Sequence, residues 1–100
     1  MDFRPHIERF RARFAEVEAA LSDPAAFANP QRAQELAKEY ARLKEFVAAG
    51  AGYLKAIADL EANRALLKSE PVESEMALLA KEEIGRLETE EKQFALKLQF

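Results

Sequence analysis

The residues that could do chemistry in this chain of 100 are few, and their spacing narrows what they could do. His6 is the only histidine, and with no Ser, Asp or Cys placed to orient it, it reads as a surface side chain and not as a base or a ligand. There is no cysteine, which removes a disulfide framework, a thiolate metal site and a cysteine nucleophile together and fits a reducing cytoplasm. Between Glu70 and Glu91 eight glutamates stand against Lys81 and Arg86. Paired carboxylates bind metals in helical bundles when a Glu-x-x-His motif recurs on facing helices, and here no histidine accompanies them. A solvated helix face is the plainer reading, with the acids near the helix start favoured by its dipole. Gly50, Gly52 and Gly85 fit neither phosphate-binding fingerprint. No catalytic group, cofactor or metal is expected.

One cluster resists that account. Arg4, Arg9, Arg11 and Arg13, with His6 among them, crowd one short stretch against Glu8 alone. Cations in the first turns of a helix oppose its dipole, so helix stability does not explain them. Two readings stay open: a patch that meets phosphate or an acidic partner, or a local balance to the glutamates of the third helix.

The elements that must carry these residues are all helical. Ile7, Phe10, Phe14, Val17 and Leu21 alternate in steps of three and four, Phe3 extends the row backwards, and Pro5 suits a first turn, so helix one is expected over 4–21. Asp23-Pro24 and Asn29-Pro30 are two capping steps, and between them one short helical turn should form with Phe27 facing inward as a plug. Helix two is expected over 30–68. Large apolar residues at 36, 40, 43, 47, 54 and 57 make one stripe, and Phe46, Tyr53, Leu60 and Leu67 make a second row beside it, wide enough for two partner helices. Gly50 and Gly52 cost about 2 kcal/mol relative to alanine inside a helix, yet the stripe resumes in phase after them, so the helix should continue, about 58 Å from end to end. Pro71 stops it. Helix three should run over 73–98 with Met76, Ala80, Ile84, Leu87, Phe94 and Leu98 on one face, and with Glu91 reaching solvent over its own methylenes. Phe100 ends the sequence while that pattern is still running, as in a piece of something longer.

The totals agree. Hydrophobic residues are 49% of the chain, but 20 of them are alanine, so the core must be thin. Three Val and three Ile are too few for a sheet. The expected fold is all-α: one domain over 1–100, an elongated three-helix bundle in which helices two and three form a long antiparallel hairpin and helix one packs at one end. Asp2, Glu8, Glu16 and Glu18 break up the first apolar positions, so no signal peptide is read there, and no apolar run reaches membrane-spanning length. A net charge of -3 with 33% charged residues of both signs argues against a domain devoted to nucleic acid.

Leu21-Ser22-Asp23-Pro24, then Asn29-Pro30-Gln31-Arg32, then Leu36-Ala37-Lys38-Glu39-Tyr40-Ala41-Arg42-Leu43, in that order and spacing, resemble the N-terminal domain of bacterial class I peptide chain release factors. Glu75-Met76 and Leu79-Ala80-Lys81-Glu82-Glu83-Ile84 are similar to that family's third helix, so the likeness covers essentially the whole chain. Its departures are Gly50 and Gly52 and a slightly longer turn at 72–75. The resemblance implies a part in translation termination in the cytoplasm, without catalysis in this segment. The family's Gly-Gly-Gln loop and its codon-reading tripeptide belong to later domains, and Gln31, Gln34, Gln93 and Gln99 follow no glycine pair. It further implies that this domain faces the factor-binding region of the ribosome and the GTPase release factor there; from the residues themselves no membrane contact and no nucleic-acid site is expected. A free-standing coiled-coil adaptor is the alternative, and it would need an exposed apolar groove at the tip.

Overall fold

A computed structural model describes residues 2–99. Three α-helices, α1 (Arg4–Ser22), α2 (Pro30–Ser69) and α3 (Glu75–Leu98), and one 3-10 turn (Pro24–Ala28) carry the described chain. The all-α expectation holds, with helix ends displaced by no more than two residues. Two compact units divide the chain, Met1–Gly50 and Ala51–Phe100, and α2 contributes residues to both.

In the first unit the punctuation is chemical. Asp23 Oδ1 accepts from the Ala25 N–H at 3.0 Å, and Asn29 Oδ1 accepts from the Arg32 N–H at 3.3 Å, so each Asx-Pro step starts a helical segment by satisfying a donor that has no partner within it. α1 returns along α2 in antiparallel sense. Phe10 stacks on Phe46 with ring centroids 4.8 Å apart, Phe14 stacks on Tyr40 at 5.0 Å, and the numbers fall on one helix as they rise on the other. Val17, Leu36 and Leu43 are the buried centre between them, with Ile7 and Phe3 buried toward the start of the chain. Phe27 does not plug this core; it is 63% exposed. Residues three apart eclipse in a 3-10 turn, so Phe27 lines up with exposed Pro24 while the smaller Ala26 takes the more sheltered side.

In the second unit the latter half of α2 and α3 form an antiparallel hairpin. The Phe94 ring lies against Gly52, and Glu83 feels the charges of Asp59 and Lys55. The turn between them is closed by the Ser74 N–H donating to the Pro71 carbonyl at 3.0 Å. Ser74 Oγ then accepts from the Ala77 N–H at 3.1 Å, which is why α3 starts at Glu75 and not at Glu73. The buried residues of α2 in this unit are Tyr53 and Leu60, from the row expected to be secondary, and Ala56, from neither row, while Leu54 and Ile57 are only half-buried. On α3 the buried position near the start belongs to Ala77, with Ala80 after it, and Met76 is exposed. On α3 the cause is size: where two helices come close, an alanine sits at the contact and a larger neighbour is displaced to its edge; on α2 the second row, Tyr53 and Leu60, is the one that faces the partner helix. Glu91 is half-buried, as its slot required. α3 ends at Leu98, and Gln99 is already extended; Phe100 lies outside the described residues.

α2 is unbroken through Gly50 and Gly52, and no glycine has a positive φ. These glycines are therefore needed for space. A Cβ on Gly50 would meet Ile7 Cγ2 at 2.9 Å and Cγ1 at 3.1 Å, and one on Gly52 would fall within contact distance of three atoms of the Phe94 ring. Gly85 has open space. Gly85→Ala should accordingly stabilise by about 1 kcal/mol, the helix-propensity gain alone. Gly50→Ala should destabilise despite the same gain, because Ile7 is buried and β-branched, so it yields little room, and overpacking costs about 1–3 kcal/mol. Urea melts of the two variants check the opposite signs.

Candidate functional site

α1 carries the arginine cluster on its exposed surface, but helical rotation does not gather the four cations on one side. Arg9 and Arg13, four residues apart, share a face; Arg11 is about 200° around from Arg9, at about 100° per residue. Their environments also differ. The Arg13 guanidinium clamps α1 to α2: its Nε donates to Glu39 Oε2 and its Nη2 to Glu39 Oε1, both at 2.8 Å, while its Nη1 reaches Glu16 at 3.1 Å. Two parallel bonds from a planar fork give geometry as well as attraction. Arg11 makes one long contact, 3.4 Å to Glu8, with more than half of its side-chain surface exposed. Arg9 Nη2 approaches His6 Nδ1. Arg4 is exposed, with its backbone N–H bonded to Asp2 Oδ1 at 3.0 Å.

The balance read in the sequence against the third helix thus has nearer sources, since Glu8, Glu16 and Glu39 all belong to the unit that holds α1. Of the four arginines, Arg13 is committed to the fold, and Arg4, Arg9 and Arg11 keep their charge toward solvent. The Arg13–Glu39 pair could not be read from spacing, because its partners are 26 positions apart and only the return of the chain brings them together.

Along α3 the glutamates behave as a solvated face. Arg86 bonds to Glu83 and to Glu90 within its own helix, and on α2 Lys55 bonds to Asp59 at 3.0 Å. The Arg86 guanidinium holds the Glu83 carboxyl below its ordinary range. No group of three or more His, Cys, Asp or Glu among the described residues could hold a metal ion. Among the described residues, no helix is long and apolar enough to cross a membrane. The feature that the sequence reading missed is an exposed apolar group at 72–79, formed by Val72, Met76, Leu78 and Leu79. Its signal was present: Leu78 and Leu79 are adjacent, and one narrow helical stripe cannot bury both.

The electrostatics of the clamp have a sign that can be tested. Arg13's hydrogen bonds, more than its charge alone, hold the Glu39 carboxyl below its ordinary value against partial desolvation. A carboxyl depressed on folding stabilises the fold above its unfolded value, about 4.3, and that contribution is lost as pH falls through the lower folded value. Glu39→Gln should therefore melt below the parent chain at pH 7, with the gap closing as the pH is taken down through the carboxylate range. A gap that stays constant to the lowest pH would mean that packing, not charge, is lost.

The comparisons agree on one family. The PCRF domain model matches residues 10–100. A protein of Pelobacter propionicus named peptide chain release factor 1 is 36% identical over 93 residues, covering 93% of this chain and 25% of the relative. Proteins of the same name from Anaeromyxobacter dehalogenans and Parabacteroides distasonis are 37% identical over 86 residues and 40% identical over 73, covering 86% and 73% of this chain and 23% and 20% of those relatives. The chain spans about a quarter or less of the length of these curated relatives. No solved structure matches it. With α1 from Phe10 onward and the whole of α2 and α3 inside the matched range, the chain belongs to the PCRF domain family.

Proposed function

We propose that the chain, taken as one domain over 1–100, serves translation termination as a contact domain of a peptide chain release factor. It meets the ribosome's factor-binding region in the cytoplasm, where the GTPase release factor also acts, and leaves codon reading and peptidyl-tRNA hydrolysis to the rest of the parent protein. The observation that carries this reading is the family match over 10–100, joined to relatives named peptide chain release factor 1 of which so small a share is represented here. The surface assigned to the contact is the exposed part of α1, with Arg4 and Arg11 on one flank and Arg9 and Arg13 on the other. Arg4, Arg9 and Arg11 offer exposed guanidinium forks for phosphate or carboxylate, and Arg13 keeps their helix seated on α2.

Exposed charges of this kind act mainly on the rate of encounter, and salt weakens them. Replacing Arg4, Arg9 and Arg11 together by Gln should leave the melting curve unchanged and slow association with ribosomes about tenfold at low salt, with the difference shrinking as salt rises. Stopped-flow association at two salt concentrations, beside a thermal melt, reads both effects. Equal kinetics at both salts would remove α1 from the contact. In the same preparation the chain alone should release no peptide from a stalled ribosome, and codon-dependent release by it would overturn the reading.

A further inference from the structure

Among the described residues six large hydrophobic side chains are exposed, and four of them fall within eight positions at the hairpin tip: Val72 at 76%, Met76 at 48%, Leu78 at 53% and Leu79 at 54%. Single exposed hydrophobics are ordinary; a cluster marks an interaction surface. The segment that bears them is held firmly. The turn is closed by the Ser74–Pro71 bond, the first turn of α3 is capped by Ser74 Oγ, and Ala77 and Ala80 behind the exposed residues are buried to 1% or less. A surface already ordered in this way loses little conformational freedom on binding.

Charge selects the occupant. Over 68–83 five glutamates, Glu70, Glu73, Glu75, Glu82 and Glu83, stand against Lys68 and Lys81. On α3, at about 100° per residue, Met76 and Leu79 lie about 60° apart, and Glu75 and Glu82 fall between Leu79 and Leu78. Apolar and acidic groups thus alternate around one helical turn. Phosphate backbones are repelled by such a rim, and a second copy would set like charges against each other. We propose that the hairpin tip at 72–82 is a docking surface for a basic amphipathic helix of a protein partner, with the partner's apolar side chains on Val72, Met76 and Leu79 and its lysines or arginines on Glu73, Glu75 and Glu82. This surface is separate from the arginines of α1 and of opposite sign, so it stands or falls without the ribosome reading.

The test uses the whole chain and defined probes: an amphipathic Lys/Leu helix of about five turns, its Glu/Leu counterpart, and an RNA oligonucleotide. The Lys/Leu helix should bind about tenfold or more tighter than the Glu/Leu helix, with amide shifts centred on 72–82. Met76→Ser with Leu79→Ser should weaken that binding about tenfold at an unchanged melting temperature, since neither side chain is buried. Glu73→Lys with Glu82→Lys should reverse the preference between the two peptides. The proposal is overturned by equal binding of both peptides, by no binding of either, by shifts centred elsewhere, or by RNA binding at the tip. Self-association that the double serine variant abolishes would assign the surface to a second copy instead.

Discussion

Two side chains need room that no residue larger than glycine leaves them. Ile7 lies against Gly50 and Phe94 lies against Gly52, and in each unit that seat lets the neighbouring helix come close to the α2 backbone. In isolation the glycines weaken α2, because each gives up conformational freedom that alanine would not. Buried apolar surface offsets that weakness, since an isoleucine and a phenylalanine pack directly on the helix backbone. The glycines keep ordinary helical geometry throughout. What they provide is absence of volume, which is also why Gly85, facing open space, has no comparable role.

The charges follow a similar division of labour. Arg13 is tied by a bidentate fork to Glu39 and by a further bond to Glu16, so it acts as a fastener across the α1–α2 contact. Arg11, with a single long contact to Glu8, does not. The four arginines therefore separate into a structural residue and a set that remains exposed at the surface. At the tip of the second unit the sign is reversed and apolar side chains are added. The chain thus presents two surfaces of different chemistry, one basic and one acidic and partly apolar.

The surfaces of this chain are set by how its helices begin and end. Asp23, Asn29 and Ser74 each satisfy a backbone donor at the head of a helical segment. The exposed groups at 72–79 owe their position to the last of these caps, which fixes where α3 starts and hence which residues point away from α2.

The sequence by itself determined the class of fold and the length of each helix. Apolar residues in steps of three and four, Asx-Pro steps and Pro71 are local signals, and local signals act through backbone geometry that needs no distant partner. The phase of the stripe across Gly50 and Gly52 was likewise enough to predict continuity. Tertiary structure decided which apolar residues are inside. Met76 gave way to Ala77, Phe27 stayed outside its 3-10 turn, and Tyr53, Ala56 and Leu60 displaced Leu54 and Ile57 from the centre. Hydrophobicity ranks side chains by the gain from burial, whereas the packed pair selects them by which row faces the partner and, at the closest approach, by size, and only the packed pair has an orientation and separation that impose that selection. The Arg13–Glu39 clamp belongs to the same category, because attraction between residues far apart in the chain exists only once the fold has brought them within reach.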